Sequence, residues 1–89
     1  MAERRFLVTG RVQGVGFRWW TRSVARRIGV TGTVRNRADG TVEVDARGDD
    51  AQLAALRRLL NEGPPGASVE SVRESDASGV LQTAFDIAH

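Results

Sequence analysis

The spacing of apolar residues changes across the segment "GRVQGVGFRWW", Gly10 to Trp20, and this change most restricts how the chain can fold. Before it, residues 5–12 alternate between apolar and polar side chains, as in a half-buried strand. After it, apolar residues follow helical spacing over residues 17–28, and Gly29 is a typical helix stop. The apolar residues that define the two patterns are Phe6, Val8 and Val12, followed by Phe17, Trp20, Val24 and Ile28. The segment is therefore predicted to be a glycine loop between a strand and a helix.

The rest of the chain adds a hairpin, a second helix and two further strands. Residues 42–47 alternate after the turn "ADG", which predicts a hairpin with Glu43 and Asp45 pointing outward. An aspartate cap, an apolar stripe at Leu53, Leu56 and Leu60, and the terminator Gly63 predict the second helix. Val69 and Val72 break strict alternation in the next strand, as a β-bulge would, and Phe85 and Ile87 alternate in a last strand.

This order of elements predicts an α+β fold: a two-layer sandwich with two helices on one face of an antiparallel sheet of four to five strands, βαββαβ. If the first helix is a right-handed crossover, the first two strands run parallel and the third fits between them. The glycine loop and Asn36, at the end of the second strand, then lie at the same sheet edge. Asn36 lies two residues after Val34 and therefore on the same face of the strand, toward the helix layer. Because a polar amide is unusual in a buried layer, its presence indicates that a cleft begins there.

Length and composition narrow the class of protein. A chain of 89 residues predicts a single domain spanning residues 1–89. The absence of cysteine excludes disulfides, thiolate metal sites and cysteine nucleophiles, and favours a reducing compartment. No stretch is apolar enough for a signal peptide or a membrane span, so we expect a cytoplasmic protein with no membrane partner. All thirteen basic residues are arginine, which favours bidentate contacts to oxyanions.

The glycine loop has the chemistry of an anion-binding site. Amides at a helix N-terminus lack partners within the helix, the helix dipole is positive there, and Gly14 and Gly16 allow the chain to curl around an anion. Arg18 would add a permanent charge with fork geometry in the first helical turn. The loop lacks the Gly-Lys-Ser/Thr ending of a nucleotide P-loop, and the third glycine of a dinucleotide fingerprint would fall at Trp19. Taken alone, the spacing also fits a plain strand-to-helix turn.

The segments "GRVQGVGFR" and "GTVRN" together strongly resemble the acylphosphatases, and the match continues through "ADGTVEV", the second helix and "GPPGASVESV". The resemblance implies a ferredoxin-like sandwich and an enzyme that hydrolyses the carboxyl-phosphate bond of acyl phosphates without a metal ion or other cofactor. It implies that Arg18 binds the phosphoryl group and that Asn36 positions the attacking water. The phosphate-binding loop it implies comprises Gln13, Gly14, Val15, Gly16, Phe17 and Arg18.

The expected ligands are a small acyl phosphate and the product inorganic phosphate, and nothing in the sequence demands more than a monomer. Acylphosphatase-like domains also occur in hydrogenase-maturation proteins, but the missing extra domains favour the stand-alone enzyme. Trp20 belongs to the apolar helix stripe, whereas Trp19 is either an exposed cover or a wall of the substrate mouth.

An RNA-binding module is the alternative from another class, because ferredoxin-like sandwiches also bind RNA and this chain is rich in arginine. Such modules stack bases on aromatic residues of the open sheet face. The predicted open face has no aromatic residue and carries two acids, so no nucleic-acid partner is expected. Its predicted residues are Arg5, Thr9, Arg11, Glu43 and Asp45.

Overall fold

The computed structural model describes residues 1–89 and contains the seven predicted elements in the predicted order. Neither helix is long and apolar enough to cross a membrane. The elements are β1 (Ala2–Arg11), α1 (Phe17–Ile28), β2 (Thr31–Asn36), β3 (Val42–Gly48), α2 (Asp50–Glu62), β4 (Ser68–Asp76) and β5 (Phe85–Ile87).

The five strands form one sheet in the order β4-β1-β3-β2-β5. β3 pairs antiparallel with both β1 and β2, which confirms the predicted position of the third strand between two parallel strands. The sheet is mixed rather than wholly antiparallel, because β5 pairs parallel with β2. The chain reverses after β4 and crosses to the other sheet edge, so β5 enters in the direction of β2.

The predicted bulge lies in β4. Thr9 of β1 pairs with Ser71, and Gly10 pairs with Val69, so Glu70 is the additional residue on the β4 side. The additional residue restores the inward orientation of both valines, and Val69 and Val72 pack against the core. The break in alternation therefore follows from the bulge.

The core lies between the sheet and the two helices. Its largest fully buried side chains are those of Phe6, Phe17, Phe85, Leu56 and Leu60. Phe17 at the start of α1 meets Trp20 edge to face, with ring centroids 5.4 Å apart. Burial of Phe17 at the first helical residue fixes the start of α1 against the sheet.

Glu43 points outward from the helix layer, as predicted, but it is not exposed to solvent. Its side chain lies on the open face of the sheet, but Glu43 is only 3% exposed. Arg35 Nε donates to Glu43 Oε2 at 2.9 Å, and Arg37 Nη1 donates to Oε1 at 3.2 Å. Arg5 lies 3.7 Å from Oε1 and forms a bidentate pair with Asp45, whose hydrogen bond and charge raise the pKa of Arg5. The arginines cover the carboxylate, so the open face is a paired charge network.

We expect Glu43→Gln to lower the free energy of unfolding by about 1–2 kcal/mol, because it weakens charge-assisted hydrogen bonds to arginines that remain partly solvated. Urea unfolding measures the change. The same substitution at Glu62, which is exposed and forms no ion pair, should cost less than about 0.5 kcal/mol. Equal effects of the two substitutions would show that burial of Glu43 adds nothing to stability.

Candidate active site

The loop between β1 and α1 depends on two glycines with left-handed backbone. Gly14 has φ 74° and Gly16 has φ 78°, a region that other residues rarely adopt. No atom lies within 4 Å of the position that a Cβ would take at either residue. Glycine is therefore required here by backbone conformation and not by lack of space.

The amides that follow this curl have no partners within the protein. None of the amides from Gly14 to Trp19 donates a hydrogen bond to a protein group, and the first that does is that of Trp20, to Gly16 O at 3.0 Å. Gly16 is the N-cap of α1 without a side-chain hydrogen bond, and the first turn contains no acid. The N-terminus of α1 therefore presents free donors and the positive end of the helix dipole to an anion.

The second helix shows how this chain closes a helix N-terminus. Asp49 accepts a hydrogen bond from the Gln52 amide at 2.7 Å, and the Gln52 side chain accepts one from the Asp49 amide at 2.9 Å. Asp50 adds a negative charge in the first turn of α2. The open N-terminus of α1 is thus particular to the glycine loop.

A small cavity of about 150 Å³ lies at this helix N-terminus. It contains the predicted arginine and asparagine together with the two loop glycines. The cavity therefore joins residues of the loop after β1 with a residue at the end of β2. Gln13 and Val15 are not among its lining residues. The lining residues are Val12, Gly14, Gly16, Phe17, Arg18, Trp19 and Asn36.

Neither Arg18 nor Asn36 forms an ion pair or a side-chain hydrogen bond with another protein group, so both side chains are free to bind a ligand. Asn36 pairs with Val42 in the sheet and shares the parity of buried Val34, which confirms the predicted side of the sheet. An unpaired guanidinium and an unpaired amide in one cavity can bind an oxyanion and a neutral hydrogen-bonding molecule at once.

Gln13 has a different structural position from the rest of the predicted loop. Its Nε2 donates to Arg37 O at 2.8 Å and to Thr41 O at 2.9 Å, and so links the loop to the β2–β3 turn. Asp39 closes the same turn, because the Thr41 hydroxyl and amide donate to its Oδ1 at 2.6 and 3.1 Å and lower the pKa of its carboxyl. The sequence offers no signal for the Gln13 contact, since both acceptors are backbone carbonyls of a distant turn.

A larger groove of about 730 Å³ lies between α2 and strands β1 and β4. Three of its five charged side chains pair with one another: Arg4 Nε lies 2.8 Å from Glu74 Oε2, and Arg57 Nη1 lies 3.6 Å from Glu74 Oε1. Because these charges are largely compensated, the loop cavity is the stronger candidate for an anion site.

Fold and cavity together define a small α+β sandwich protein with a candidate oxyanion site at a helix N-terminus. A family model described as Acylphosphatase matches residues 4–87. The acylphosphatase of Actinobacillus succinogenes is 48% identical over 79 residues, which cover 89% of this chain and 88% of the relative. That of Pasteurella multocida is 54% identical over 76 residues, covering 85% and 84%. The chain belongs to the acylphosphatase family.

The solved structures agree with this assignment. The crystal structure of acylphosphatase from Bacillus subtilis superposes with a TM-score of 0.94 at 32% identity, and the match covers all of both chains. The family resemblance of the loop and strand segments is thereby confirmed, and so is the ferredoxin-like sandwich.

We expect Gly16→Ala to weaken binding of inorganic phosphate by roughly tenfold, because a left-handed backbone at alanine costs about 1–2 kcal/mol and a relaxed loop turns its amides away. Isothermal titration calorimetry with phosphate measures the change. Gly79→Ala is the matched control, since Gly79 has φ 67° and equal free space but lies outside the loop. The control should lose similar stability and keep its phosphate affinity; equal affinity losses in both variants would contradict a specific role of the loop.

Proposed function

We propose that this chain hydrolyses the carboxyl-phosphate bond of acyl phosphates, giving a carboxylate and inorganic phosphate. The observation that carries the proposal is the run of unpartnered amides from Gly14 to Trp19 beside the unpaired Arg18, in one cavity with Asn36. The family relatives are named for the same activity.

The reaction suits a site that binds and orients without an evident general base. Water adds to phosphorus while the bond between phosphorus and the carboxyl oxygen breaks, and the carboxylate leaves with the electron pair. The proton lost from the water passes to solvent or to the phosphate product. Because a carboxylate is already a good leaving group, positioning and electrostatic stabilisation supply most of the rate.

Each polar group of the cavity then has one task. The loop amides and the Arg18 guanidinium hold the phosphoryl oxygens, and hold them more tightly as charge shifts in the transition state. The Asn36 side chain accepts a hydrogen bond from the attacking water and aligns it opposite the leaving carboxylate. Gln13 acts as a positioning residue, because its two hydrogen bonds to the β2–β3 turn set the distance between the loop and Asn36. No covalent intermediate is required.

The proposed reaction needs no metal ion, since backbone amides and Arg18 supply the positive charge that neutralises the phosphoryl oxygens. Hydrolysis should continue in EDTA. We place the enzyme in the cytoplasm, in keeping with a chain that lacks cysteine. A monomer is consistent with a surface whose large exposed apolar side chains are only Met1, Trp19 and Leu81.

The RNA-binding alternative has less support. Arg5, Arg35 and Arg37 on the open face are engaged by the carboxylates of Glu43 and Asp45. Bases would find no aromatic side chain to stack on there. A gel-shift assay with single-stranded RNA at low salt, beside phosphate release from an acyl phosphate, separates the two functions.

We expect Arg18→Gln to lower kcat/KM for benzoyl phosphate by about 100- to 1,000-fold or more, because one preorganised donor to the transition state is typically worth that much. Circular dichroism and urea unfolding should show an unchanged fold. Arg27→Gln, on the same helix and exposed without an ion pair, is the matched control and should keep parent activity. If Arg18→Gln hydrolysed benzoyl phosphate at close to the parent rate, the assignment of Arg18 to the site would be wrong.

We expect Asn36→Ala to lower kcat by about 100-fold while inhibition by inorganic phosphate changes little, because the water and not the phosphoryl group loses its partner. Steady-state kinetics with phosphate as a competitive inhibitor separates the two quantities. A rise in the phosphate inhibition constant as large as the fall in kcat would assign Asn36 to anion binding instead.

A further inference from the structure

Trp19 is an exposed aromatic residue beside the catalytic cavity. It follows Arg18 in the first turn of α1 and is 64% exposed, whereas the neighbouring Trp20 packs against the core. Among the large exposed apolar side chains, Trp19 alone lines the cavity that contains Arg18 and Asn36. Of the two positions predicted for it, the structure supports a wall of the cavity mouth.

The indole also borders a second surface hollow. This hollow, of about 360 Å³, is lined by Trp19, Arg22, Asp86, Ile87 and His89. Trp19 therefore stands between the loop cavity and a second depression at the end of β5.

The indole of Trp19 contacts an arginine of its own helix. The Arg22 guanidinium lies 5.6 Å from the Trp19 ring centroid, within the range of a cation–π contact. Arg22 Nε lies 3.9 Å from Asp86 Oδ1, and Arg26 Nη2 donates to the same oxygen at 3.2 Å. Asp86 thus restrains the arginine that covers one face of the indole, and the exposure of Trp19 leaves ring surface available to a ligand.

The size of the loop cavity determines which part of the substrate contacts Trp19. Pockets that enclose drug-sized ligands measure about 300–1,000 Å³, whereas this cavity measures about 150 Å³. It has room for the phosphoryl group and the attacking water, so the acyl group must extend beyond its mouth. The large apolar surface available there is the indole of Trp19.

We propose that Trp19 determines acyl-group specificity, and that this enzyme prefers acyl phosphates with a flat aromatic acyl group over small aliphatic ones. The proposal rests on the proposed function, because it assigns the acyl end of the same substrate. The acyl group packs on the indole in both the ground state and the transition state, since bond breaking takes place at phosphorus. Such uniform binding lowers KM and leaves kcat unchanged.

The test compares Trp19→Ala with the parent on benzoyl phosphate and on acetyl phosphate. We expect KM for benzoyl phosphate to rise about two- to tenfold at unchanged kcat, the range that one aromatic contact supports. KM for acetyl phosphate and inhibition by inorganic phosphate should stay constant. Trp19→Phe should retain most of the preference for benzoyl phosphate. Leu81→Ala, at an exposed residue outside both cavities, should leave KM for both substrates unchanged.

The outcomes separate this proposal from the one on which it rests. If the parent hydrolyses both substrates and Trp19→Ala changes their KM values equally or not at all, the specificity role is wrong and the proposed function stands. If the parent hydrolyses neither, both proposals fail. A fall in kcat with both substrates would instead mean that Trp19 acts on the loop amides, and this too overturns a role in acyl specificity.

Discussion

The pairing of β3 with both β1 and β2 is the constraint on which the site depends. Because β3 is antiparallel to each neighbour, β1 and β2 are parallel and end at the same sheet edge. Val42 pairs with Val8 on one side and with Asn36 on the other, so one buried residue sets the register of both halves of the cavity. A shift of β2 by one residue against β3 would turn Asn36 to the opposite face of the sheet. The Gln13 hydrogen bonds add a second link, between the loop after β1 and the turn after β2.

The two helices show where the chain gives up local stability for function. A side-chain cap is worth about 0.5–2 kcal/mol, and α2 has one, complete with a reciprocal hydrogen bond. The N-terminus of α1 has none, and its donors stay free. Burial of Phe17 at the first residue of α1 holds that helix end against the core without occupying the amides. A helix secured by its apolar face can leave its N-terminus available to a ligand.

What the sequence predicts depends on how local the signal is. The helices, the strands and the β4 bulge were predicted because apolar periodicity records which side of each element is buried. The meeting of the glycine loop with Asn36 followed from strand direction and parity. Three features cannot be predicted from the sequence pattern: the parallel pairing of β5, the burial of Glu43 under arginines, and the contact of Gln13 with a turn. Each depends on partners outside the element itself, and a period-two pattern assigns a face without stating what lies beside it.

The proposed roles divide between backbone and side-chain contacts, and this division would let such a small enzyme separate catalysis from specificity. In the proposed mechanism backbone amides hold the phosphoryl end, and their positions depend on the left-handed glycines and not on the identity of a side chain such as Val15. In our proposal the acyl end meets side chains at the cavity mouth, where Trp19 is exposed. Arg18 lies between the two, and its planar fork matches a phosphoryl group in a way that a lysine cannot. Substitutions at the mouth can therefore change substrate preference without altering the geometry that cleaves the bond.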